Sequence, residues 1–167
     1  MINPVEDKYD ALMPSKHDMM LPDIDDKVLK QIGEMEEIEH LSKGSFSSPF
    51  FPVVGTFYGI NNRLMICLVC QEFNNPNAPI VNVWFLVNVA FNCNFINEKT
   101  MKTLNGSDDV PDYMKVVIQD PNFSNECYLS HSHFKEANVL GMSAILQLGV
   151  TIEGMNLKKR SFRLAKQ

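Results

Sequence analysis

The run Ile80–Ile96, IVNVWFLVNVAFNCNFI, is the longest apolar stretch in the chain, and it breaks at its centre into Asn88-Val89-Ala90. A half-exposed strand alternates polar and apolar residues. The segment before the break is instead nearly continuous Ile, Val, Trp, Phe and Leu without a charge, so it predicts a strand covered on both faces, with Trp84 as a core residue. Such a strand delivers the small polar side chain of Asn88 to a place where it must be hydrogen-bonded.

Upstream, Phe50–Gly59 (FFPVVGTFYG) and Arg63–Phe73 (RLMICLVCQEF) are parted by Ile60-Asn61-Asn62, which predicts a hairpin. The breakers from Asn74 to Pro79 then turn the chain into the central strand. Downstream, Phe95-Ile96 reads as a short strand and Glu98–Leu104 as a helical turn ended by Asn105–Asp109. Tyr113–Asp120 is a strand that turns at Pro121–Asn125 and returns through Glu126–Ser130. Glu136–Leu140 returns to the core, Met142–Leu148 is a helix capped by Gly149, and Val150–Met155 and Asn156–Leu164 are closing strands.

This order resembles a retropepsin-like (retroviral-type) aspartic protease. That family has an apolar strand, Asp-Thr/Ser-Gly, a short apolar stretch, a helical turn, and later two apolar residues followed by Gly and a helix. Here Phe85-Leu86-Val87 precedes the triplet position and Phe95-Ile96 follows it; Asn97–Thr100 resembles the turn, and Asn138-Val139-Leu140-Gly141-Met142 the later element. The resemblance runs from about Pro52 to the C-terminus. It implies a mainly β protomer, a closed retropepsin-like barrel with one short C-terminal helix. It also implies a homodimer, or a heterodimer with a related chain, through the terminal strands, with Phe162 and Leu164 as contacts.

The triplet departs from the family at every position: Asn88 stands for Asp, Val89 for Thr or Ser, Ala90 for Gly. An aspartic protease needs two carboxylates sharing one proton, one ionised to activate water and one neutral to polarise the carbonyl. A carboxamide neither ionises near neutral pH nor takes a proton from water. Val89 lacks the hydroxyl that would hydrogen-bond across a dimer, and the Cβ of Ala90 narrows the loop's conformations. The expectation is a pseudoprotease of retroelement descent, with no catalytic residue and no cofactor or metal, acting as a dimerisation and protein-interaction module. The region that forms a flap in active relatives is short here.

The N-terminal part differs in character. Up to Ser42 there are eleven acids against four lysines, and beyond it nine acids against eleven bases. Residues 1–21 read as a flexible arm. An acidic amphipathic helix is predicted over 22–43, starting at Pro22-Asp23, with Ile24, Val28, Ile32, Met35, Ile38 and Leu41 on one face. That stripe either packs on its own domain, which is the plainer reading, or joins the old cleft as a surface for a protein partner. A linker from Gly44 to Pro49 leads to a domain over 50–167.

With 45% hydrophobic residues the chain can bury one full core. The charge balance argues against a nucleic-acid binder, and the basic run Lys158, Lys159, Arg160, Arg163, Lys166 reads as a solvated terminal strand. No membrane span or signal peptide is seen, so an intracellular, cytoplasmic location without membrane partners is expected. The four cysteines read as free thiols, with Cys67 and Cys70 on opposite faces of a strand. The enzymatic alternatives are a residual aspartic protease or a metal site built from Cys127, His131 and His133. A Cys127 or Cys93 nucleophile paired with one of those histidines is weaker, as neither cysteine sits in a motif that lowers its pKa.

Overall fold

Alternation along the two longest strands sorts their side chains into two separate cores, and the architecture follows from that. The computed structural model describes residues 11–167, in which the elements are α1 (Asp26–Met35), β1 (Val53–Tyr58), β2 (Arg63–Glu72), β3 (Val81–Val87), β4 (Asn94–Ile96), α2 (Glu98–Asn105), β5 (Tyr113–Ile118), β6 (Ser124–Leu129), β7 (Val139–Leu140), α3 (Met142–Leu148), β8 (Val150–Asn156) and β9 (Ser161–Lys166). The protein is mainly β, and its strands run in the order β3-β7-β4-β6-β5-β2-β1-β9-β8. A further pairing joins β2 to β3, so β3, β7, β4, β6, β5 and β2 close on themselves while β1, β9 and β8 extend from the ring. The long β2 makes this possible: its residues 63–65 pair with β1, 70–72 with β5, and 65–70 with β3.

On β3, Val81, Val83, Phe85 and Val87 point into the ring with Ile66, Leu68 and Cys70 of β2. Trp84 and Leu86 point outward with Met65 and Cys67. The outer set is covered by Met19, Leu21, Ile24, Leu29 and Ile32 of the N-terminal region. The unbroken apolar sequence of β3 is thus explained by two layers, a ring interior on one side and α1 with its lead-in on the other. Cys67 and Cys70 fall in different cores, as their odd spacing requires, and both are free thiols.

The helix is shorter than the periodicity predicts. It starts at Asp26, with the Asp25 carboxylate accepting from Val28 N–H at 2.8 Å, and ends at Met35, after which Glu37 takes a left-handed φ of 60°. Tertiary pairing overrides the pattern beyond that point. Leu41 N–H donates to Asn82 O at 2.7 Å, Asn82 N–H to Ser42 O at 2.8 Å and Gly44 N–H to Ile80 O at 2.9 Å, so the chain lies along the start of β3 instead of continuing as helix.

The six stripe residues therefore part company. Ile24 and Ile32 are buried in their own domain and Val28 packs beside them, Leu41 leans on the ring core, and Met35 and Ile38 are exposed. Each buried aliphatic side chain contributes about 1.5–3 kcal/mol. The plainer of the two sequence readings, packing on its own domain, is what the helix does. Of the expected arm, residues 1–10 lie outside the described residues. Residues 11–16 are largely exposed, but residues 17–21 are not a loose arm: His17, Met19 and Leu21 are all buried.

The terminal strands form as predicted, but Phe162 and Leu164 do not face outward. They are 1% and 0% exposed. Phe162 lies over Gly55, where a Cβ would fall 2.3 Å from its ring, and stacks on Phe57 at 6.0 Å. Alternation sends Arg163, between them, to the surface instead.

One titratable group is tied to this packing. His40 Nδ1 accepts from Trp84 N–H at 3.1 Å, which leaves a buried Nε2–H without a partner among the described residues. Burial, helped by nearby Lys99, pushes its pKa down to about 4. The native state then takes up this proton only near that pH, while the unfolded chain takes it up near 6.5. Stability is complete above pH 6.5 and falls as the pH drops toward 4, by up to about 3 kcal/mol from this group. Urea unfolding across that range is expected to show the slope in the native protein and its loss in His40→Gln.

Candidate functional site

β3 ends at Val87 and β4 begins at Asn94, and the loop between them is held by a strand that comes from far along the chain. β7 inserts between the two, parallel to β3 (Leu86 opposite Val139, Val87 opposite Leu140) and antiparallel to β4 (Phe95 opposite Val139). Asn88 N–H donates to Leu140 O at 3.0 Å. The first amides of α3 close the far side, Met142 N–H on Phe91 O at 2.8 Å and Ser143 N–H on Asn92 O at 2.9 Å.

Gly141 lies where these pieces cross. A Cβ there would sit 2.2 Å from Cys93 O and 2.8 Å from Asn92 O, both backbone atoms that cannot swing aside. The two apolar residues and glycine singled out in the sequence therefore pass directly behind the Asn88 loop.

Three buried carboxamides lock the crossing, a role that sequence reading did not give them. Asn94 accepts from Gly141 N–H at 2.8 Å and donates to Glu126 O and Ser143 Oγ, each at 3.1 Å. Asn138 donates to Trp84 O at 3.3 Å and accepts from Asn97 N–H at 2.8 Å. Asn97 caps α2 through Thr100 N–H at 2.8 Å and donates to Glu136 O at 2.6 Å and Asp26 Oδ1 at 2.9 Å. The available signal was the recurrence of Asn inside otherwise apolar runs, at Asn94, Asn97 and Asn138, where only a satisfied polar group is tolerated.

Asn88 is half-buried, and Val89 and Ala90 are exposed. Its Oδ1 accepts from Ala90 N–H at 3.0 Å, and its Nδ2 donates to the Met19 sulfur at 3.2 Å. The lead-in to α1 therefore lies against the triplet. The His17 ring packs on Phe91 at 5.2 Å and on Phe95 at 5.6 Å, and its Nδ1 bonds Met13 O at 3.1 Å. His131 Nε2 meets Pro14 O at 3.1 Å, and His133 Nδ1 meets Asp18 at 2.7 Å, a contact that lowers the Asp18 pKa through the His133 hydrogen bond. The two later histidines thus tether the lead-in.

They are not joined by Cys127. That thiol is fully buried in the ring core, and burial pushes its pKa up to about 12. The proposed metal trio is therefore not brought together, because β6 turns Cys127 inward while His131 and His133 lie beyond its end. Cys93, half-buried, is also pushed up, by burial and then by Glu126, so it is no activated nucleophile.

The β5–β6 turn is not a free flap. Gln119 N–H donates to Val69 O at 2.6 Å, its side chain accepts from Val69 N–H at 3.1 Å, and its amide donates to Phe50 O at 2.6 Å. That turn is fastened to β2 through Val69 and to the segment before β1 through Phe50.

No family model matches the chain, and no curated protein matches it. Among solved structures it is similar to a retropepsin-like aspartic protease from Rickettsia conorii, at 16% identity and a TM-score of 0.43, over 70% of this chain and 90% of that one. The likeness is one of fold alone.

Gly141→Ala tests the crossing. It is expected to lower stability by about 3 kcal/mol, measured by chemical unfolding, because the added methyl meets backbone on two sides. Ala at exposed Gly106, where nothing lies within 4 Å of the added Cβ, should cost only the strain of a side chain at φ 65°, about 1–2 kcal/mol.

Proposed function

We propose that this chain is a retropepsin-like pseudoprotease, a scaffold that has lost proteolysis and serves as a dimerisation and protein-interaction module. The observation that carries the reading is the state of Asn88. The side chain at the end of β3 is a carboxamide with its oxygen engaged by Ala90 N–H and its nitrogen by Met19. Neither atom can ionise or relay a proton, and two symmetry-related copies would still supply no base.

The neighbouring positions support the same reading. Val89 offers no hydroxyl, and the fastened β5–β6 turn offers no clamp. The metal-dependent alternative loses its anchor with Cys127 sealed in the core, and no observation favours residual proteolysis.

For the interaction role, β8 is the relevant surface. It pairs with β9 on one side, and among the described residues no strand covers its other edge. An uncovered strand edge is a template for pairing with another chain. A second copy or a related chain seated there would be backed by Phe162 and Leu164 from within the core, without touching them. Sedimentation equilibrium at micromolar concentration is expected to give twice the 19.0 kDa chain mass. A single species at 19.0 kDa over the whole concentration range would remove the self-association half of the proposal and leave only a related chain as partner.

A further inference from the structure

Two turns far apart in sequence form one tip of the molecule. The β1–β2 turn (Gly59, Ile60, Asn61, Asn62) and the β8–β9 turn (Leu157, Lys158, Lys159, Arg160) lie side by side because β9 pairs with β1. Arg160 rivets them. Its guanidinium donates to Asn62 Oδ1 at 3.0 Å, to Gly59 O at 3.1 Å and to Phe57 O at 3.2 Å, and its own carbonyl accepts from Phe57 N–H at 2.9 Å.

This tip carries the two most exposed large aliphatic side chains among the described residues, Ile60 at 95% and Leu157 at 79%. Met20, 65% exposed, belongs to the same end, since its carbonyl accepts from Arg63 at 3.2 Å. Lys158 and Lys159 are exposed beside them, and neither turn contains an acid. Two carboxylates of the flanking segments are already engaged: Asp23 by Arg63 at 2.8 Å and Asn61 at 3.1 Å, and Glu153 by Arg163 at 2.8 Å. A cationic tip with protruding aliphatic side chains therefore stands on a chain whose net charge is -5.

We propose that this tip is a docking surface for an anionic lipid bilayer. Isolated aliphatic side chains on convex turns find no continuous apolar area to build a protein interface around, whereas the headgroup–acyl boundary accepts them singly. Lysines ringing such side chains place their charges at lipid phosphates while their stems lie along the apolar layer. A nucleic acid would neutralise the lysines but leave Ile60 and Leu157 in water. The sequence alone assigned the basic run to solvent with no membrane role; the fold changes that by bringing Ile60 beside it.

Vesicle co-sedimentation of the full chain tests this, using phosphatidylcholine with and without phosphatidylserine at low salt. Binding is expected to be at least about tenfold stronger on the anionic vesicles, with each lysine contributing roughly fivefold. Lys158→Glu/Lys159→Glu should abolish that preference, and Ile60→Ser/Leu157→Ser should weaken binding by about tenfold, both with unchanged thermal unfolding. Absence of binding to anionic vesicles would overturn the proposal. So would binding indifferent to the Ile60/Leu157 pair, or a single-stranded oligonucleotide bound as tightly as the vesicles through the lysines alone.

Discussion

The two-sided burial of β3 is the constraint on which the rest of the structure depends. A strand with Phe85 and Val87 facing one way and Trp84 and Leu86 the other must be covered twice. The ring formed with β2, β5, β6, β4 and β7 covers one face, and the N-terminal lead-in with α1 covers the other. The N-terminal region is therefore part of the core, and Trp84 is its hinge pin: Nε1 donates to Ile38 O at 2.8 Å while its backbone N–H donates to His40.

The same constraint explains the condition of the Asn88 loop. Where a strand buried on both faces ends, the loop that follows is framed by neighbours that cannot move, here β7 with Gly141 and the buried carboxamides of Asn94, Asn97 and Asn138. Rigid framing of this kind suits a catalytic group. In this chain it holds a carboxamide, and the outer layer that covers β3 brings Met19 onto it. A buried polar crossing thus surrounds a position whose side chain has no acid–base capacity, and the proposed loss of proteolysis rests on that.

Much of this was legible in the sequence because the determining signals were local. The continuous apolar run of β3, the breakers on either side and the helix Met142–Leu148 with its Gly149 cap all stand where pattern and turn chemistry put them, while Val139-Leu140-Gly141 was picked out by the family resemblance. Long-range pairing was not legible. The helical period from Ile24 to Leu41 is real, but residues 41–44 are claimed by β3, so the helix stops at Met35 and the stripe divides. Residues 11–21 look aperiodic because a 3-10 turn at Pro14–Lys16 leads into an extended piece that buries alternate positions, His17, Met19 and Leu21, on a surface supplied from elsewhere. Phe162 and Leu164 looked like interface residues only while the glycine that receives Phe162 was unknown. Nothing in the order of residues announced that Ile60 and Leu157 share one tip.

We propose that the position at the end of β3 performs no proteolysis. Incubation of the purified full chain with a diverse peptide library across acidic and neutral pH, with cleavage products read by mass spectrometry, tests it most directly. No cleavage above a no-protein control is expected. Hydrolysis that is abolished by a pepstatin-type inhibitor would contradict it.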